Sequence, residues 1–207
     1  MLYKLIRILL GAGILSALLF FLKKRRKWQI RTLAIFSALI LFGVLCACPF
    51  ENLFFSFPTP ETAHAYRYED TIQLVLPGEE SCFILSETAK KETSHSLLIR
   101  AKDGWKLDNS LPLTDYSFSL FTPEISLTVY RCKNTGDYYL TIFHIEEGPL
   151  DIQDNRGSSF LFLSKEIPSL QKTYYTYCAA VRDIDSSYTL TIDGETWPVG
   201  EKIASAS

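Results

Sequence analysis

Methionine occurs once in the 207 residues, histidine three times and cysteine five times, and no acidic residue precedes Glu51. Five cysteines are too few for a disulfide-stapled scaffold. Ten glycines and nine prolines exclude a collagen-like or Pro/Gly-rich low-complexity chain. No G-x-S-x-G, C-x-x-C, H-E-x-x-H or phosphate-cradling glycine loop occurs, so no catalytic, cofactor-binding or metal-ligating residue can be assigned from a motif. The missing acids are the most informative shortage. Eight basic residues (Lys4, Arg7, Lys23, Lys24, Arg25, Arg26, Lys27 and Arg31) lie before Phe50, and the remaining 13 lie among all 23 acids. The net charge of −2 therefore averages a +8 segment and a −10 segment. Concentrated positive charge between two apolar runs, followed by an acidic remainder, excludes a nucleic-acid-binding domain.

What the first part does contain is long apolar runs. Ile8 to Leu22 is an uncharged stretch of 15 residues, extended to the N-terminus by Leu2, Tyr3, Leu5 and Ile6. Thr32 to Phe50 is a second, of 19 residues. A helix rises about 1.5 Å per residue against a hydrocarbon core of about 30 Å, so residues 1–22 and 32–50 are expected to be transmembrane helices forming a hairpin. Residues 23–31, KKRRKWQIR, are then a basic cytoplasmic loop, because Lys and Arg near span ends stay inside. Lys4 and Arg7 fall on the outer side and oppose that rule, two charges against six. Gly13 with Ala17, and Ala34 with Ala38, have the small-residue spacing that lets helices approach. Leu45-Cys46-Ala47-Cys48 is similar to the end of a lipoprotein signal. Cys46 stands where a small residue belongs, though, and Cys48 is expected simply to close the helix rather than carry lipid. The expected location is the cell membrane, multi-pass, with the C-terminal domain outside.

Residues 51–68 (ENLFFSFPTPETAHAYRY) read as a juxtamembrane stem, with aromatics suited to the headgroup belt and prolines that stop the helix. Residues 69–207 are expected to be an extracytoplasmic all-β domain, an antiparallel sandwich or barrel of roughly ten strands. Apolar residues alternate at Ile72/Leu74/Leu76, Phe118/Leu120, Ile125/Leu127/Val129 and Tyr188/Leu190/Ile192, as half-buried strands require. Cys82 to Leu85, Leu97 to Ile99, Tyr138 to Ile145 and Phe160 to Leu163 are apolar on both faces and suit central strands. Asp193-Gly194 between TLTI and ETWP has the composition of a type I′ hairpin. Glu87 to Glu92 could add one helical turn, and the IASAS tail is expected to fray. YYTYCAAV around Cys178 is similar, over about six residues, to the end of an immunoglobulin variable domain. No Trp lies between Cys132 and Cys178, so only the sandwich class carries over.

Cys82, Cys132 and Cys178 lie in strand-like runs and are expected to be buried thiols. His64 falls in the stem, and His95 begins a strand after a polar loop. His144 and Glu146 share a strand face with Leu140 and Ile142, without the third ligand that zinc needs. Asp151 to Gly157 has calcium-loop ingredients without the spacing, and reads as a turn capped by Asp154 and Asn155. Glu79–Glu80 and Glu146–Glu147 read as loop charge. Tyr138, Tyr139, Tyr174, Tyr175, Tyr177 and Tyr188 could form an aromatic face for a glycan or a protein. The expected function is a membrane-anchored, non-catalytic binding or assembly module of the cell envelope, with the lipid bilayer and another envelope protein or glycan as partners. An envelope hydrolase or glycan-processing enzyme with a non-local active site is the alternative.

Overall fold

The computed structural model describes residues 2–23, 28–47, 49–107, 114–121, 125–133, 135–145, 148–167 and 172–206. It divides into two compact units, 1–73 with 86–112, and 74–85 with 113–207. The described residues are mostly β, with strands in three sheets. β1 (Thr71–Pro77), β2 (Ser81–Glu87), β3 (Thr93–Ala101) and β4 (Gly104–Lys106) form the first, in chain order. β5 (Thr114–Phe121), β6 (Ile125–Cys132), β7 (Asp137–Ile145), β9 (Leu161–Ile167) and β10 (Lys172–Arg182) form the second, ordered β5-β6-β7-β10-β9. The third comprises β8 (Ile152–Asp154), β11 (Leu190–Ile192) and β12 (Glu195–Trp197), ordered β12-β11-β8.

In the first unit, α1 (Leu2–Lys23) and α2 (Trp28–Ala47) pack against each other, with Gly11 facing the Phe42 ring so closely that a Cβ there would collide with it. No helix among the described residues is long and apolar enough to cross a membrane. The hairpin forms, but its expected membrane-spanning character is not supported by the described helices, for reasons of charge and of charge-free length. Lys4 and Arg7 interrupt the first turns of α1, and α2 ends at Ala47 ahead of Pro49 instead of continuing to Phe50. The charge-free helical stretches that remain, Ile8 to Leu22 and Thr32 to Ala47, span only about 22–24 Å. The basic loop is also shorter than expected, since α2 takes in Trp28 to Arg31; residues 24–27 and Cys48 lie outside the described residues. Gly13 and Ala17 do not serve the α1–α2 contact. A Cβ on Gly13 would meet nothing within 4 Å, and both residues line an open apolar groove with Ile6, Leu9, Leu10 and Ile14.

The expected stem is structured. A 3-10 turn (Phe50–Leu53) follows Pro49, and Pro60 begins α3 (Pro60–Arg67) rather than preventing a helix. Pro is well suited to the first helical position, where its missing N–H has no intrahelical role. Thr59 caps α3 reciprocally with Thr62: Thr62 N–H donates to Thr59 Oγ1 at 3.3 Å, and Thr59 N–H donates to Thr62 Oγ1 at 3.2 Å. A short isolated bridge pairs Phe57 with Trp105 of β4. Glu87 to Glu92 forms a tight turn, not a helical one, with Lys91 at φ 66°.

In the second unit, β7 is buried almost throughout, as its two-sided apolar run requires. On one face of the five-stranded sheet, Leu127 and Val129 (β6), Tyr138, Leu140 and Ile142 (β7), and Tyr177, Ala179 and Val181 (β10) form a single core. Ile184, Tyr188, Leu190, Ile192 and Trp197 complete it together with Val199 and Ile203 of α4 (Val199–Ala206). On the other face Phe83 stacks on Tyr139 at 5.4 Å and lies 5.5 Å from Tyr130. The Asp193-Gly194 hairpin has positive φ at both residues (49° and 86°) and pairs Ile192 with Glu195, the type I′ arrangement expected. The tail expected to fray is instead helical, because Val199 and Ile203, four apart, bury their side chains in that core.

Candidate functional site

The expected tyrosine face does not form. Tyr138, Tyr139, Tyr177 and Tyr188 are core residues, 7%, 0%, 5% and 0% exposed, leaving only Tyr174 and Tyr175 half-buried. Period-two alternation cannot separate a core tyrosine from a surface one when both sheet faces are covered. The buried hydroxyls are satisfied internally. Tyr139 Oη lies 2.8 Å from Ser81 Oγ, and Tyr188 donates to Asp154 Oδ2 at 2.9 Å. Burial pushes both phenols well above their usual range.

An aromatic strip does emerge at the free edge of the five-stranded sheet, from residues the tyrosine count overlooked. In the β9–β10 register Phe162 faces Tyr177 and Ser164 faces Tyr175. The Phe162 ring therefore spreads over two tyrosines, at 6.1 Å from Tyr175 with rings 15° from parallel, and at 5.6 Å from Tyr177. His144, buried on β7, lies 6.1 Å from Tyr175 on the inner side of the strip. Phe162 is 51% exposed and Leu161, on the opposite face of the same strand, 43%. Edge strands are ordinarily guarded by charge or proline because their open backbone recruits other chains. Here the first half of β9 is apolar and exposed on both faces, and its backbone pairs only with β10 among the described residues. Such an edge can take up an extended peptide or stack a flat apolar ligand.

The other groups singled out by sequence have structural duties. Asp154 accepts from Ser158 N–H (2.8 Å), Arg156 N–H (3.1 Å) and Tyr188 Oη. Burial alone would raise its carboxyl, but those hydrogen bonds outweigh it and hold the group below its usual range. Asn155 bonds Ser187 O and Thr189 N–H, so this segment is the capped turn expected. Glu79 and Glu80 donate their backbone N–H groups to Asp137 at 3.2 and 2.9 Å, and Ser81 Oγ donates to it at 2.7 Å. Asp137 is only 3% exposed and ties the β1–β2 turn to β7, and Arg182 pairs with Glu79 at the surface. Cys82, Cys132 and Cys178 are buried, and burial pushes the Cys178 thiol up to about 11. Glu146 and Glu147 lie outside the described residues. Among the described residues no group of three or more His, Cys, Asp or Glu could hold a metal ion.

In the first unit, two polar clusters had no sequence signal because their members are far apart in the chain. His64, in the segment expected to be a stem, is 1% exposed; its Nδ1 lies 3.0 Å from Ser96 Oγ, and its Nε2 has no hydrogen-bond partner among the described residues. Tyr68 packs on the imidazole at 5.0 Å. A hydroxyl–imidazole pair of this kind can activate a nucleophile, but Ser96 is 3% exposed and no substrate can reach it in this conformation. The second cluster joins α1 to the turn beyond α2. Arg7 Nη2 donates to Glu51 Oε2 at 3.1 Å, with the two side chains 8% and 2% exposed. Tyr66 Oη donates to Glu51 Oε1 at 3.4 Å, and the Arg7 guanidinium lies 4.4 Å over the Tyr3 ring.

Together these features define a mainly-β protein with an N-terminal helical hairpin and an apolar sheet edge. No family model, curated protein or solved structure matches the chain.

Proposed function

We propose that the chain is a membrane-anchored, non-catalytic binding or assembly module of the cell envelope, with α1 and α2 as its anchor and a sandwich-type β-domain outside the cytoplasm. The exposed apolar edge at Leu161 and Phe162, backed by Tyr175, carries the binding half of this reading. Three observations support the anchor. The full helices, 22 and 20 residues, are about 33 and 30 Å long, comparable with the roughly 30 Å hydrocarbon core. Ile8, Leu9, Phe20, Leu33, Phe36, Leu39 and Ile40 are each more than half exposed, a surface suited to lipid rather than water. Six of the eight basic residues before Phe50 lie within 23–31, against Lys4 and Arg7 on the outer side, and that excess favours an inner loop.

Topology reporters fused after Lys24 and after Ser207 test the anchor. The Lys24 fusion is expected to be active inside and the Ser207 fusion outside, and cytoplasmic activity of the latter overturns the reading. A photo-crosslinking residue at position 162 tests the edge. It is expected to capture one envelope protein or glycan, with the adduct lost on Leu161→Lys. A wild-type adduct pattern in Leu161→Lys rules the edge out.

A further inference from the structure

We infer that Leu53, Phe54 and Phe55 form a rigid wedge that seats in the outer headgroup region of the phospholipid bilayer and fixes the depth at which the chain beyond α2 begins. The inference rests on the membrane reading above. These three consecutive apolar residues are 82%, 77% and 45% exposed, while Glu51, two residues earlier, is 2% exposed. The backbone that carries them is braced. The Asn52 amide donates to Leu107 O at 2.9 Å and accepts from Leu107 N–H at 2.8 Å, imitating a strand pair. Lys106 Nζ donates to Asn52 O at 2.8 Å and to Phe55 O at 3.1 Å. Phe57 and Trp105 exchange two backbone hydrogen bonds of 2.8 Å. Both ends of the turn are thus fixed to β4, and Phe54 and Phe55 N–H both close on Glu51 O.

That bracing is what insertion demands. Backbone groups entering a water-poor layer must bring their partners with them, and Lys106 supplies donors to two carbonyls of this turn. Its ammonium also keeps positive charge beside the wedge, suited to lipid phosphate. The occupant follows from continuity: α2, whose exposed apolar surface includes Leu39, Ile40 and Leu41, ends at Ala47, six residues before Leu53. Phenylalanine and leucine beside a lysine have the composition of an interfacial anchor.

The test uses the full chain in 3:1 phosphatidylcholine:phosphatidylglycerol vesicles. Phe54→Trp adds a fluorophore at an exposed position without disturbing the fold, and wild-type protein supplies the background of Trp28, Trp105 and Trp197. The added emission is expected to be blue-shifted and quenched at least twofold by lipids brominated near the headgroup, and to resist iodide. Lys106→Gln in the Phe54→Trp background is expected to lower that quenching, since the brace is lost. Added emission that iodide quenches and bromolipid does not overturns the wedge, and unchanged quenching in Lys106→Gln overturns the brace. Alkaline carbonate extraction of the same vesicles separates the two hypotheses. Protein retained with an unquenched probe overturns the wedge alone, whereas protein released with an unquenched probe overturns the anchor and the wedge together.

Discussion

Replacing Glu51 by Gln should cost the first unit the buried ion pair that links α1 to the turn beyond α2. At 3.1 Å and an effective dielectric of about 20, the Arg7–Glu51 attraction is about 5 kcal/mol before desolvation is subtracted. Both side chains are more than nine-tenths buried, so water cannot replace the lost partner. Glu51→Gln removes the carboxylate that faces the buried Arg7 charge, and removing one member of such a pair typically costs about 3–5 kcal/mol. For a chain of this length that corresponds to a fall in Tm of roughly 6–20 °C. Arg7→Met should cost about as much, by leaving the Glu51 carboxylate with only the long Tyr66 hydrogen bond among the described residues. The double variant Arg7→Met/Glu51→Gln removes both charges and should be less destabilised than the two singles summed by about 2 kcal/mol or more, since neither charge is then buried without its partner. Thermal unfolding of the full chain in detergent micelles, followed by near-ultraviolet circular dichroism, reads all four states of the cycle. Single variants within 2 °C of wild type would make the pair equivalent to a surface ion pair worth about 0–1 kcal/mol. A double variant as unstable as the two singles summed would mean that the side chains act independently. Either result refutes the reasoning.

Further outcomes follow from other buried groups. Burial lowers the His64 pKa, with Asp70 opposing, so the folded state favours the neutral ring. Its contribution to stability is complete above the unfolded value of 6.5 and is lost as pH falls from there through the lowered folded value, at no more than about 1.4 kcal/mol per pH unit. The protection of α3 amides against hydrogen exchange, after correction for the slower intrinsic exchange at low pH, should therefore fall below pH 6.5 in wild type and lose that dependence in His64→Gln; equal pH dependence in both would assign the effect elsewhere. Asp137→Ala orphans the donors of Glu79, Glu80 and Ser81, and urea unfolding should show a loss of about 3 kcal/mol or more, against a smaller loss for Asp137→Asn. Ile203→Ala opens the core beneath α4 and should cost about 2–4 kcal/mol in the same assay, where a frayed tail would give nothing measurable.

Local chemistry wrote much of the architecture openly. Alternation placed β1, β5 and β6, two-sided apolar runs placed β2, β3, β7 and β9, and Asp193-Gly194 placed the β11–β12 turn, because strand period and positive φ depend on near neighbours alone. Short elements escaped. α3 was masked because Pro60 reads equally as a breaker or as a first helical residue, and α4 because one apolar pair four apart is too little periodicity to stand out. The candidate binding edge was half visible: Phe160 to Leu163 read as a strand, but its position at the sheet margin did not, and the tyrosines next to it suggested a surface that the fold buries.

The sequence by itself determined the segregation of charge, the two apolar helices and the β character of the remainder, since each is a property of contiguous residues. Only the tertiary structure decided which aromatic residues face water, that Arg7 meets Glu51, that Ser96 meets His64, and that Lys106 and Asn52 hold Leu53 to Phe55 outward. Each of those pairings joins residues more than thirty positions apart. No local rule of period or propensity reaches that far, so such contacts exist only once the chain has packed.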